Sequence, residues 1–390
     1  MDKADSLESR YRYGARYITD YARFRDQVLD KTIVPYQVEF QPPPLSTKKI
    51  CWLECPYCYG KSAEDNQDRL SRERGLEVMR QIAEGGVKKV IFAGYATDPL
   101  NSPYIDDLLE IAIENKMVFG FNTKALKVSE RMVELLSREE IVPSSYMSIS
   151  VDAGSNEAYN AVHDVRSGAK LYDRVLENVS RIAGARRKNG AEFDISAAYL
   201  INIHTGTPEE VLSFVKDFRG VGCNLLRFTF PQPPRGIETE EGVVPSRDEC
   251  AGYLRTLQPL LEVENSPDCN VLLVDADTEH DIFHKARTVP CFARFVYPTV
   301  GFDGYLYHCS QSSAPNFRSM ALGDLRTDDF WTLFYDYDAS DLDSYFKGCN
   351  RKMAGAGCRC DRKEHILNAG VLDSGAFSLP ESLSMQTKDG

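Results

Sequence analysis

Between Val34 and Thr229 the chain repeats one event. A short run of β-branched and aromatic residues is followed by a stretch whose apolar positions recur at helical spacing. The runs Tyr36–Phe40, Val87–Ala93, Val118–Asn122, Tyr146–Asp152, Phe193–Leu200 and Asn224–Thr229 predict strands. Helical periodicity covers Arg74–Ala83, Ile105–Asn115, Glu130–Ser137, Leu171–Ala185 and Pro208–Phe218, with Gly85-Gly86, Gly190 and Gly220 as stop signals. Such βα alternation demands parallel pairing and right-handed crossovers, which either a doubly wound sheet or a partial barrel satisfies. Periodicity alone does not choose between them.

The run Pro231-Gln232-Pro233-Pro234-Arg235-Gly236 breaks this pattern, and Glu238-Thr239-Glu240-Glu241 reads as a solvated connection. A helical segment at Arg247–Leu261 leads to a cysteine-containing region from Cys291 to Cys360. There Tyr297–Val300 and Tyr305–His308 are expected to form a hairpin across Phe302-Asp303-Gly304. The expected organisation is an N-terminal helical extension (1–33), a βα core (34–235), a linker with a helix (236–285), a small cysteine-rich domain (286–370) and a loosely held tail (371–390).

Composition narrows the chemistry. Apolar residues make up 43% and charged residues 27%, which fits a globular fold, and no stretch approaches the roughly 18 apolar residues that span a bilayer. The start, Met1-Asp2-Lys3-Ala4-Asp5, has no apolar signal core, so a cytoplasmic protein with no membrane partner is expected. With 58 acidic against 46 basic residues the net charge is −12, which argues against nucleic acid and mildly favours a cationic substrate. Structural disulfides are rare in a reducing compartment, so the clusters among the eleven cysteines read as metal ligands or redox groups.

The segment Cys51-Trp52-Leu53-Glu54-Cys55-Pro56-Tyr57-Cys58 sets three thiolates in eight residues, just after the first strand. Three soft ligands suit an iron–sulfur cluster or zinc, and they leave one metal position open for another ligand. A zinc knuckle with a distant fourth ligand is the structural alternative.

This CxxxCxxC loop, with an aromatic before its third cysteine and opening a βα array, resembles the radical S-adenosylmethionine (SAM) superfamily over roughly residues 34 to 230. The resemblance implies an α/β fold with a partial (β/α)6 barrel. It also implies a 4Fe–4S cluster on Cys51, Cys55 and Cys58, and SAM chelating the open iron. SAM cleavage would then give a 5′-deoxyadenosyl radical that removes hydrogen from a substrate. By the same resemblance Tyr57 would lie near the adenine. The turn Ala93-Gly94-Tyr95-Ala96-Thr97-Asp98 would meet the SAM amino group, through Gly94, Tyr95 and Thr97 and with its carboxylate displaced from the family's usual place. Ser148, Ser150 and Asp152 alternate along the fourth strand and would face the ribose or methionine of SAM. Asn202 and Arg227 would reach the adenine and the SAM carboxylate. For these polar positions, a strand end or a structural ion pair is the plain alternative.

A second group runs from Cys291 through Gly304 and Cys309 to Leu322-Gly323-Asp324-Leu325, Phe330-Trp331, Cys349, Cys358 and Cys360. It resembles the SPASM and twitch domains, which hold auxiliary iron–sulfur clusters. A full SPASM pattern carries cysteines for two clusters, whereas five occur here after residue 290, so one auxiliary cluster, of 4Fe–4S type, is expected. Cys291, Cys309 and Cys349 would ligate it, with Cys358 or Cys360 as the fourth; zinc on the same thiolates is the alternative. The lone Cys223, Cys250 and Cys269 read as small buried apolar residues, and His280 and His284 as solvated positions on one helix face.

The resemblance implies the radical chemistry but not the substrate; SPASM and twitch extensions commonly serve the maturation of ribosomally made peptides, which is the expected role here. The stretch before Tyr36 is too short for a complete winged-helix peptide-recognition domain, so a separate recognition protein would be needed, together with a reductant such as flavodoxin or ferredoxin. Tailoring of a sugar, aminocyclitol or nucleoside is a close alternative. A non-catalytic, zinc-stapled binding protein is a further one.

Overall fold

A computed structural model describes residues 18–44, 51, 53–58, 60, 69–95, 97–166, 168–231, 242–274, 290–355, 358 and 362–377. Strands form where the sequence runs stand: β1 (Val38–Phe40), β2 (Lys89–Phe92), β3 (Val118–Thr123), β4 (Tyr146–Ser150), β5 (Asp194–Leu200) and β6 (Leu225–Thr229). Helices Arg72–Glu84, Ile105–Glu114, Glu130–Leu135, Leu171–Asn189 and Pro208–Val221 fill the intervals. Their starts are written locally: Ser71, Ser129 and Thr207 each accept a hydrogen bond from a backbone N–H of the first helical turn, a cap worth about 1 kcal/mol. The Pro208–Val221 helix runs past the expected stop at Gly220 and ends at Gly222.

All six strands pair in parallel with their sequence neighbours. The segment expected to be a linker carries, besides the helix Arg247–Glu262, a further strand β7 (Asn270–Leu273) that pairs in parallel with β6. At the other edge β8 (Thr299–Val300) pairs in parallel with β1 and continues, through an antiparallel hairpin, into β9 (Tyr305–Tyr307) and β10 (Gly323–Asp324). The described strands therefore form one ten-stranded sheet, in the order β10-β9-β8-β1-β2-β3-β4-β5-β6-β7. The C-terminal region also docks on the helix Arg72–Glu84: Trp331 Nε1 donates to the Gln81 carbonyl (2.8 Å), and Arg74 Nε donates to that of Leu325 (2.6 Å).

Alternation divides the strand residues between two faces. Val38, Phe92, Phe121, Met147, Ile149, Tyr199 and Phe228 join the large core under the helices. Ile91, Tyr146, Leu225 and Leu272 form a second, smaller cluster on the opposite face. Gly120 sits between two of them: a Cβ there would run into the Tyr146 ring and Ile91 Cδ1, so only glycine lets these side chains meet above β3. The same face carries Glu39 in the row of Ile91 and Tyr146 and, further along, Asn122, Ser148, Ser196, Ser150 and Arg227 in matching register. One face is thus a lipophilic core, and the other is apolar at its base and polar toward the strands' C-terminal ends. Among the described residues, no helix is long and apolar enough to cross a membrane.

Candidate active site

The loops that follow the strands' C-terminal ends bring chemistry together. After β1, Cys51, Cys55 and Cys58 share one short loop, closed by a hydrogen bond from the Cys58 amide to the Cys55 carbonyl (3.1 Å). The Gly60 amide donates to Cys58 Sγ (3.3 Å). Cys55 is buried, while Cys51 and Cys58 are half-buried. Burial pushes the Cys51 thiol up and carries that of Cys55 to about 12. Such thiols become thiolates only against a strong local cation, which is how metal ligation deprotonates cysteine. Three soft donors within one loop fit an iron–sulfur cluster with one iron left open. Among the described residues the Cys, His, Asp and Glu side chains do not close into a metal-holding group, so the fit rests on the donor chemistry.

After β2, Gly94 starts a turn so tight that a Cβ would overlap the Thr97 carbonyl. Gly94→Ala is expected to lower stability by about 3 kcal/mol, the upper end of overpacking costs, read as a shifted denaturant midpoint at constant slope. An unchanged midpoint would mean that the turn opens without cost. Thr97 is buried and accepts from Asn101 Nδ2 (3.1 Å). Asp98 is held inward, with its carboxylate accepting from the Leu100 amide (2.9 Å), the Thr123 hydroxyl (2.8 Å) and the Lys124 amide. Burial raises its pKa, and those donors oppose the rise.

Asp152 departs from the expected strand face. β4 ends at Ser150, and Asp152 takes a left-handed backbone (φ 64°) because the Val151 and Asp152 amides both bond the Ala198 carbonyl. Ser148 and Ser150 stay on the concave face, whereas the Asp152 carboxylate turns to Lys124 Nζ (2.7 Å), the Tyr57 hydroxyl (3.0 Å) and the Leu200 amide (3.1 Å). Tyr57 is thereby tied through its hydroxyl to the loop after β4. Asn202 is also redirected: its Nδ2 donates to the Leu200 carbonyl (3.2 Å) and its Oδ1 accepts from the His204 amide (2.9 Å), so the side chain closes its own turn. Arg227 stands mid-strand, half-buried, in the register row of Ala198 and Ser150.

The second cysteine group reaches the same end of the sheet. Gln41, just past β1, donates to Ser313 Oγ (3.0 Å), and Tyr95, beside Gly94, packs against the cluster of Ala314, Phe317 and Cys358. Cys309 is buried, and its thiol is pushed far up, first by burial, then by Glu364, Cys358 and Cys291 nearby. Cys349 stands in the helix Leu342–Gly355. Cys360, His280, His284, the Glu238–Glu241 stretch and the end of the tail lie outside the described residues. Cys223, Cys250 and Cys269 are buried in the main core.

Lys124 and His163 were not singled out from sequence. Lys124 directly follows β3, and a polar residue at that end of a parallel strand is the one signal that points to it. His163 carries no such mark.

The Radical SAM superfamily model matches residues 45–218, the stretch that holds the three-cysteine loop and the units from β2 to β5. Residues 45–218 are thus a radical SAM domain. That domain supports an enzyme, and the mostly parallel sheet matches the partial barrels of its radical SAM structural neighbours. The family implies SAM and a 4Fe–4S cluster. An uncharacterised protein of Archaeoglobus fulgidus is 26% identical over 155 residues, 40% of this chain and 35% of that protein, so the match spans about a third of its length. Among solved structures, Streptococcus suis SuiB bound to S-adenosylmethionine aligns with a TM-score of 0.59 at 15% identity, covering 82% of this chain and 71% of that one. The complex of SuiB with its precursor peptide SuiA aligns at 0.57. Native anSMEcpe with bound AdoMet aligns at 0.55 and 15% identity, covering 79% and 82%. At these identities the likeness is one of fold.

Proposed function

We propose that this radical SAM enzyme holds its cluster on Cys51, Cys55 and Cys58 and acts on a peptide substrate, with one auxiliary 4Fe–4S cluster on Cys291, Cys309, Cys349 and either Cys358 or Cys360. The observation that carries the reading is the convergence of both cysteine groups on one end of the sheet, through Gln41–Ser313 and the packing of Tyr95 on the Cys358 cluster. A substrate entering there meets the SAM loop on one side and the C-terminal cysteines on the other. When bound, the cluster supplies one electron to SAM, whose cleavage gives a 5′-deoxyadenosyl radical.

The chain's own residues do the positioning. The Gly94–Thr97 turn, Ser148, Ser150 and Arg227 line the polar end of the concave face, where a zwitterionic, hydroxyl-rich ligand finds hydrogen-bonding and charged partners. Tyr57 and Asp152 act one step back, bracing the cysteine loop against the loop after β4. Tyr95 bridges to the C-terminal cysteines. The fold of SuiB, solved with its precursor peptide SuiA, supports a peptide substrate for this chain as well. A recognition protein for that peptide and a flavodoxin or ferredoxin reductant complete the proposal.

Anaerobic reconstitution with iron and sulfide tests it. The protein is expected to turn brown and to hold about eight irons, two four-iron clusters. A colourless protein that takes zinc would replace the reading with the binding-protein alternative, and about twelve irons would contradict a single auxiliary cluster. Incubation with SAM, dithionite and a precursor peptide encoded beside the gene should change the peptide's mass. Turnover of an amino sugar instead would assign the small-molecule alternative.

A further inference from the structure

At β1 the concave face carries a carboxyl group that the cysteine loops and the SAM-facing residues leave unexplained. Glu39 and Gln41 stand two residues apart on that face, and both are buried, 8% and 2% exposed. Gln41 Nε2 donates to Glu39 Oε1 (3.0 Å) and to Ser313 Oγ (3.0 Å), so both of its N–H groups are occupied. Its Oε1 is buried and accepts from nothing among the described residues. Thr299, the register partner of Glu39 on β8, is fully buried, and its hydroxyl has no partner there either. Among the described residues no lysine, arginine or histidine pairs with Glu39, and Gln41 is its one side-chain partner. Lys89, two residues before Ile91 on β2, sets its Nζ over the rings of Tyr36 and Tyr146 instead (5.9 and 5.6 Å).

Buried carboxyl groups are paired as a rule, because desolvation without a partner is costly, so the missing partner of Glu39 is to be sought in a ligand. What stays open is the second Glu39 oxygen, Gln41 Oε1 and the Thr299 hydroxyl. An alkylammonium group matches them, with three N–H donors, a positive charge and no acceptor. Ile91 and Tyr146 share the row of Glu39 across Gly120, so the methylenes that lead to such a group meet apolar surface. Depth separates this place from the residues proposed to line SAM. Glu39 stands level with the apolar base, whereas Ser150 and Arg227 share a row nearer the strands' C-terminal ends. The place also lies between the two cysteine groups: β1 runs into the three-cysteine loop, and Ser313, bonded to Gln41, follows Cys309 by four residues.

We propose that Glu39, Gln41 and Thr299 form a substrate subsite for an ammonium group on an alkyl chain, as in a lysine side chain. The inference rests on the reading that a substrate enters between the two cysteine groups. The subsite binds and orients, and no bond forms or breaks at it. The net charge of −12 attracts any cation at long range. Selection comes from the buried acceptors.

The test is ligand-detected saturation-transfer NMR on the reconstituted full chain. The probe is Nα-acetyl-lysine N-methylamide, and its norleucine counterpart supplies the same four-carbon chain without the ammonium. The lysine amide is expected to bind about tenfold more tightly, the lower end of what a hydrogen bond to a charged group contributes. Glu39→Gln keeps an acceptor for Gln41 but removes the charge, and is expected to erase that preference. Gln41→Met leaves the carboxyl group and removes the orphan acceptor, and is expected to narrow it. A wild type without the preference overturns the subsite and leaves Glu39 as a counterion of Lys89; a folded Glu39→Gln protein that retains it overturns the subsite too. Should Glu39→Gln fail to fold, Gln41→Met decides, since an undiminished preference there rejects the subsite. Glucosamine bound in preference to the lysine amide overturns the alkyl-chain assignment. SAM affinity that falls together with the lysine preference in Glu39→Gln assigns these residues to the ammonium of SAM and overturns a substrate subsite. Protein without iron, or a precursor peptide left unmodified, overturns the cluster or peptide reading and not this one, which is read from binding alone.

Discussion

Replacing Cys51, Cys55 and Cys58 together by alanine is expected to abolish 5′-deoxyadenosine formation while about four irons per chain remain at the C-terminal cysteines. The loop is the one place among the described residues where three thiols stand within a few residues of each other at the C-terminal end of the sheet. A closed four-thiolate site has no open iron for SAM, so the C-terminal group cannot substitute. The measurement is chromatographic detection of 5′-deoxyadenosine under dithionite, paired with iron analysis. Wild-type rates in the triple variant would end the assignment of SAM cleavage to this loop.

The second large effect is expected at Cys309. Cys309→Ala should leave SAM cleavage and hydrogen abstraction in place and reduce product on the order of 100-fold, the upper end of what losing even a second-shell partner costs a metal site. Cys309 is buried among Cys291, Cys358 and Glu364, and the Cys358 cluster touches Tyr95 beside the Gly94 turn. With the proposed auxiliary cluster on these cysteines, a substrate radical formed at this end of the sheet would have a redox centre to take up its unpaired electron. Deuterium carried from substrate into 5′-deoxyadenosine reports abstraction independently of product. If Cys309 only staples the region, losing it lowers labelled 5′-deoxyadenosine and product together. A folded Cys309→Ala protein with normal product formation excludes the redox role.

Much of this architecture was legible before any coordinates. The helix Ile105–Glu114 and strands β4 to β6 begin within a residue of where the pattern put them, because alternation and helical spacing are read from neighbours in the chain. β7 escaped notice: four residues beyond a polar break carry little pattern, and what makes Asn270–Leu273 a strand is the open edge of β6. The helix Asn156–Val162, seven residues long, is also short and depends on its Ser155 cap. The three-cysteine loop was visible from spacing alone, since its ligands lie on one loop.

What the sequence determined by itself is the alternation of strand and helix, the three-thiolate loop and a second group of cysteines. Each is a property of residues close together in the chain, where backbone periodicity and side-chain chemistry act without distant partners. Tertiary structure alone decided that Asp152 faces Lys124 and Tyr57 instead of the concave face, that Asn202 closes its own turn, and that Tyr95 reaches Cys358. Lys124 meets Asp152 across 28 residues and His163 across 39. Such contacts exist only once parallel strands have carried separate loops to the same end of the sheet, where burial strengthens every charge they bring.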